Sequence, residues 1–116
     1  MNKTLWSGIG VLVVVFLGVT LFAQVKPDRV TSSDIKTSVI IDVRSKEEYQ
    51  ADHFPKAINI PLDQLSAHSD QLKAEKRPII VYCRSGRRSE QAKKSLQAMG
   101  ISAKNGINQA ALNQVR

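Results

Sequence analysis

Apolar positions fall into three kinds of run along the chain. From Ile9 to Ala23 they follow one another almost without interruption, and no charged residue stands between Thr4 and Val25. Further on come short runs rich in β-branched residues: Val39-Ile40-Ile41-Asp42-Val43, Ala57-Ile58-Asn59-Ile60 and Pro78-Ile79-Ile80-Val81-Tyr82-Cys83. Runs of that length suit buried strands. Between them the pattern turns helical. Ser45 is placed to cap a helix with Glu48 three residues on, a capping-box spacing. Leu62, Leu65 and Leu72 mark an interrupted helical stretch, and Ala92, Leu96 and Met99 share one helical face that Gly100 closes. Ile101-Ser102-Ala103 is expected as a last edge strand, Asn105-Gly106 as a turn, and Ala110-Ala111-Leu112 as part of a short final helix. Strands alternating with helices predict an α/β fold, a small and mostly parallel sheet flanked by helices.

The apolar N-terminal run predicts a hydrophobic helix that precedes this domain, because roughly 20 apolar residues suffice to cross a bilayer. Residues 1–25 are expected as a transmembrane anchor or signal peptide, 26–37 as linker and start of the domain, and 38–116 as the domain itself. As a signal peptide the run has a basic start at Lys3 and Ala23 before a cut, but Leu21 occupies a position that prefers a small residue. As an uncleaved anchor it ends in the charged segment Lys26-Pro27-Asp28-Arg29. Positive charge lies on both flanks, so charge alone leaves a cytoplasm-facing orientation open.

Composition changes this picture little, and charge only at one place. The net charge is +7 over 116 residues, with basic residues scattered and no aromatic residues interleaved as stacking platforms. Nucleic acid is therefore not an expected partner. One cysteine excludes an internal disulfide, and one thiol with two dispersed histidines makes a poor metal site, so neither metal nor organic cofactor is expected.

The exception to the scatter is Cys83-Arg84-Ser85-Gly86-Arg87-Arg88-Ser89, between the clearest strand and the clearest helix. Ligands of open α/β sheets bind at the carboxyl ends of the strands, where Cys83 stands. Loop N–H groups and a helix N-terminus there favour an anion. Together with the three arginines they are expected to stabilise the Cys83 thiolate, which is the nucleophilic form. Free cysteines are often inert core residues, but an inert one gains nothing from three mutually repelling cations.

This loop resembles the active-site loop of rhodanese domains, of the form Cys-x-x-Gly-x-Arg-Ser. Asp42-Val43-Arg44 with Glu48-Tyr49, and His53-Phe54-Pro55-Lys56-Ala57-Ile58-Asn59-Ile60-Pro61, resemble two further elements of that family, in the same order. The resemblance covers about residues 38–106 and is nearest to the small exported phage-shock rhodaneses. It implies a thiosulfate sulfurtransferase with a persulfide on Cys83, a small sulfur donor such as thiosulfate or a polysulfide, and a thiol or cyanide acceptor. It also implies loop N–H groups from Arg84 to Ser89, including Ser85 and Gly86, around the persulfide, with Arg87 and Arg88 gripping the donor. It also weighs towards export, so that with the apolar N-terminal segment an inner-membrane-anchored or periplasmic protein is expected, a monomer with the membrane as partner through that segment. The chain departs from the family where Pro55 and Lys56 replace a frequent glycine, where Asn105-Gly106-Ile107 replaces Gly-Gly, and in the brief segment before Val39.

Asp42 and Arg44 are expected to support the site. An aspartate ending a buried strand is usually held by loop N–H groups or an arginine. Arg44 either approaches the loop or pairs with Glu47 or Glu48. His53 is expected in the framework rather than as a base, and His68 in solvent. Two rival functions remain. A persulfide relay to a membrane partner would use the same loop. A cysteine-dependent phosphatase or arsenate reductase needs Cys-x5-Arg, whereas the residue six beyond Cys83 is Ser89, so the loop is one residue too short for phosphate.

Overall fold

The computed structural model describes residues 28–116. Its elements are α1 (Ser32–Thr37), β1 (Val39–Asp42), α2 (Lys46–Ala51), β2 (Ile58–Asn59), two 3-10 turns (Leu62–Gln64 and Ser66–His68), α3 (Ser69–Ala74), β3 (Ile79–Cys83), α4 (Arg87–Ala98), β4 (Ala103–Asn108) and α5 (Gln109–Val115). The four strands pair in parallel in the order β2-β1-β3-β4. This is the parallel sheet flanked by helices that the alternation predicts.

Strand alternation divides the core in two. Ile79, Val81 and Cys83 of β3 face one layer with Ile41, Val43, Leu65, Leu72, Ala92 and Leu96. Ile80 and Tyr82 face the other with Ile40, Phe54, Ala57 and Leu112, against which Ile35 and Tyr49 pack. All five residues of β3 are buried, as a strand covered on both faces requires. Burying a side chain such as Leu96, at 0% exposure, stabilises the fold by roughly 1.5–3 kcal/mol. The layer beneath α4 therefore fixes where that helix begins.

Both expected N-terminal signals of α2 are present: Ser45 Oγ accepts the Glu48 N–H and Glu48 reaches back to the Ser45 N–H. The segment before β1 holds α1, a six-residue helix with its own capping box between Thr31 and Asp34. The expected turn at Asn105-Gly106 is not a turn. Both residues lie inside β4, whose register with β3 skips Gly106, so that Val81 pairs Asn105 and Tyr82 pairs Ile107. A side chain at Gly106 would put its Cβ 2.8 Å from Leu112 Cδ2 and 2.9 Å from Ile80 Cγ2. Glycine is there for close packing against β3 and α5 rather than for chain reversal.

The expected membrane partner, and the inner-membrane or periplasmic location drawn from it, are corrected. Among the described residues no helix is long and apolar enough to cross a membrane. The apolar run from which the anchor or signal segment was read lies outside the described residues.

Candidate active site

Cys83 ends β3 pointing into the α4 layer, with 2% of its surface exposed. The chain must then turn sharply to start α4 beneath the same layer. Gly86 makes this turn at φ +92°, a conformation that favours glycine, and a Cβ there would also crowd Ile107 Cγ2 at 3.2 Å. The turn aims the Gly86 N–H at Cys83 Sγ (3.1 Å). Ser89, in the first turn of α4, adds its N–H (3.4 Å) and its hydroxyl (3.3 Å). The first N–H groups of a helix have no partner within it. Here one of them finds the sulfur.

These contacts set the acidity of Cys83. Burial pushes the thiol up, but hydrogen bonds from the Ser89 hydroxyl and the Ser89, Gly86 and Ser85 N–H groups outweigh it and hold the thiol below its ordinary value. The effect thus comes chiefly from local hydrogen bonds, with the arginines secondary to what the sequence alone suggests.

The three arginines have different fates. Arg84 and Arg87 are exposed, as is Ser85. Arg88 forms two hydrogen bonds to the Glu48 carboxylate, at 2.7 and 3.1 Å, tying α4 to α2. Arg88 holds the Glu48 carboxyl down at about 2, and its own pKa is raised by the pairing. Arg87 and Arg88 line grooves on the two sides of the loop, Arg88 with Val43 and Leu62 and Arg87 with Gly86 and Asn105.

Asp42 and Arg44 form a cluster of their own. Asp42 is fully buried and accepts the Arg44 N–H at 2.9 Å and its guanidinium at 2.7–3.0 Å. It also accepts the Tyr82 hydroxyl at 2.9 Å, and that hydroxyl accepts the Phe54 N–H at 3.0 Å. Burial and the adjoining carboxylate push the Tyr82 phenol up to about 12. Arg44 therefore turns to Asp42 and the Asp52 carbonyl rather than to Glu47 or Glu48. Tyr82 and Cys83 are consecutive in a strand, so this cluster lies across the sheet from the thiol. His53 is exposed, stacks on Tyr49 at 3.8 Å and pairs its Nδ1 with the Tyr49 carbonyl. His68 is partly exposed, with its Nδ1 paired to the Gln64 carbonyl.

One residue of the site was missed by the sequence reading. Asn105 is 8% exposed and bonds the Ser89 hydroxyl, the Gly86 carbonyl and Glu90. Its only signal was the departure from Gly-Gly, which read as a turn.

Comparison with known proteins agrees with this geometry. The model of the rhodanese-like domain matches residues 28–109. Thiosulfate sulfurtransferase PspE of Escherichia coli is 38% identical over 80 residues, covering 66% of this chain and 77% of that protein. The putative sulfur carrier protein YrkF of Bacillus subtilis is 39% identical over 62 residues, 53% of this chain, which spans only 33% of that protein's length. Among solved structures, a rhodanese with anions from E. coli superposes with a TM-score of 0.58 at 36% identity, covering 64% of this chain and 89% of that one. The human single-domain sulfurtransferase TSTD1 superposes with a TM-score of 0.54 at 28% identity, covering 68% and 84%. With the matching model spanning most of the chain and the cysteine loop at the end of β3, the protein belongs to the rhodanese-like domain family, a catalytic superfamily whose chemistry is sulfur transfer.

Proposed function

We propose that this protein is a thiosulfate sulfurtransferase in which Cys83 is first nucleophile and then sulfur carrier. The observation that carries the reading is the convergence of the Gly86 and Ser89 N–H groups on Cys83 Sγ, at 3.1 and 3.4 Å. Two arginines in the first turn of α4 support it. Cations at the positive end of a helix are unfavourable by themselves. Glu48 offsets Arg88, whereas the exposed Arg87 has no ion-pair partner among the described residues. An anionic donor supplies the missing charge.

In the first half of the cycle the Cys83 thiolate attacks the outer sulfur of thiosulfate. A Cys83 S–S bond forms, the S–S bond of thiosulfate breaks, and sulfite leaves with the electron pair. In the second half a thiolate or cyanide attacks the outer sulfur of the persulfide, and Cys83 leaves as thiolate. The N–H groups from Ser85 to Ser89 stabilise anionic sulfur in both halves. Arg87 draws the donor dianion to the loop, Arg84 lies at its mouth, and Arg88 with Glu48 fixes α4 against α2. Asp42 and Arg44 hold the end of β1 beside β3. The match to the E. coli thiosulfate sulfurtransferase supports thiosulfate among sulfane donors.

The test is intact mass after exposure of the chain to thiosulfate, with Cys83→Ser alongside. One sulfur atom added to the wild type, removed by cyanide and absent from the variant, is the expected result. Sulfur retained by the folded variant would overturn the assignment of Cys83, and no sulfur on the wild type would overturn thiosulfate as donor.

A further inference from the structure

Ser89 has one hydroxyl proton and two neighbours that compete for it. Asn105 Oδ1 lies 2.7 Å from Ser89 Oγ, and Cys83 Sγ lies 3.3 Å away. The Asn105 amide is held in one orientation by its other partners. Its Nδ2 donates to the Gly86 carbonyl (3.1 Å) and to Glu90 Oε2 (3.0 Å), while Oδ1 accepts the Ile107 N–H (2.9 Å). A reversed amide would set two donors against each other at Ile107 and lone pairs against Glu90. Oδ1 is therefore the acceptor that faces Ser89, and at 2.7 Å it holds the proton when Cys83 is neutral. The thiol can then only donate to Ser89 Oγ. A thiolate reverses the demand, because it accepts and cannot donate. The hydroxyl must rotate from Asn105 to Sγ, and Oδ1 keeps the Ile107 N–H while it does so.

We propose that Asn105 is a positioning residue that competes with Cys83 for the Ser89 hydroxyl and so sets the balance between thiol and thiolate. This rests on Cys83 being the sulfur carrier. The hydroxyl turns towards Sγ when Cys83 is a free thiolate. It returns to Asn105 when the persulfide forms, since Sγ then carries two covalent bonds and the negative charge sits on the outer sulfur. Asn105 thus favours the loaded state over the free thiolate, and at the same time braces the loop through the Gly86 carbonyl.

The charged groups around this relay are Arg84, Arg87 and Arg88 on the loop and first turn, Glu48 against Arg88, Glu90 on Asn105 Nδ2, and Asp28, which accepts the Asn105 N–H and pairs with Lys93. Asp28 is held low, since burial, which raises it, is outweighed by the Asn105 N–H and Lys93. Glu48 sits at about 2, and Arg88 and Lys93 are raised. These four keep their charge while the thiol titrates.

The test is a pH titration of thiolate absorbance. Cys83 is the only cysteine, and Cys83→Ser supplies the blank. Asn105→Ala and Asn105→Val both remove the competing acceptor, and valine also fills the space and suits a strand. Each is expected to lower the Cys83 midpoint by about one pH unit, or about tenfold more thiolate below it. Ser89→Ala is expected to raise the midpoint and to abolish the effect of either Asn105 change. If Asn105 served only as a brace, its loss would loosen the loop, withdraw N–H donors from Sγ and move the midpoint up. A midpoint unchanged or raised in both Asn105 variants overturns the proposal, as does a lowering that persists beside Ser89→Ala. The titration needs no sulfur donor, so it reads independently of the thiosulfate mass experiment.

Discussion

Asp42 at the end of β1 and Cys83 at the end of β3 are both buried, one strand apart, yet their surroundings differ in kind. Asp42 pairs with the Arg44 guanidinium, and both of its oxygens are taken up by Arg44 and Tyr82. Nothing is left over for a ligand. Among the described residues Cys83 has no ion partner in bonding distance. It has two N–H groups aimed at a sulfur atom that, as a neutral thiol, has little use for them, and the Ser89 hydroxyl stands 3.3 Å away. A buried charge that is fully paired belongs to the framework, because breaking the pair is costly. A set of donors focused on a neutral atom awaits charge, and this is the pattern of a reaction site.

The largest effect that would test this contrast comes from breaking the framework. Asp42→Ala leaves Arg44 and the Tyr82 hydroxyl without their buried acceptor, and is expected to cost about 3–5 kcal/mol in denaturant unfolding. In the protein that remains folded, thiosulfate should still add one sulfur. Loss of loading at full stability would show that the two clusters are not separate in function. A smaller effect is expected on the reactive side. Arg87→Ala should raise the KM for thiosulfate about tenfold, with kcat and melting temperature nearly unchanged. An unchanged KM would mean that the loop N–H groups alone hold the donor.

The smallest effect lies at the join between the two. Glu48→Gln removes the charge that Arg88 pairs with, and should cost about 1 kcal/mol or less at neutral pH, since the pair is partly exposed. The Glu48 carboxyl is lowered from 4.5 to about 2 by Arg88, so its contribution is complete above about 4.5 and fades as pH falls through about 2. The difference in melting temperature between wild type and variant should therefore be present at neutral pH and close near pH 2. A difference that persists into acid would assign it to packing instead.

How far the sequence could be read depended on how local each cause was. The β3 run, the Ser45–Glu48 capping box, the end of α4 at Gly100 and the cysteine at a strand's carboxyl end were all legible, because neighbours in the chain decide them. Asn105-Gly106 was misread, since the dipeptide has turn chemistry in isolation. Pairing with β3 and the approach of Leu112 overrode it. Arg44 takes neither expected course, the loop or Glu47 and Glu48, because Asp42, two residues back at the end of β1, holds its guanidinium.

By itself, then, the sequence determined the alternating α/β order, the sheet's buried centre, and a cysteine opening a cation-rich loop. These follow from periodicity and from residue types within a few positions of one another. Only the tertiary structure decided which arginine is neutralised, which face of the sheet holds Asp42, and that Asn105 reaches the Ser89 hydroxyl from 16 residues away. Those outcomes depend on how parallel strands align and on which carboxylate or amide the packing brings alongside. No local pattern encodes a partner that the chain meets only after it has folded.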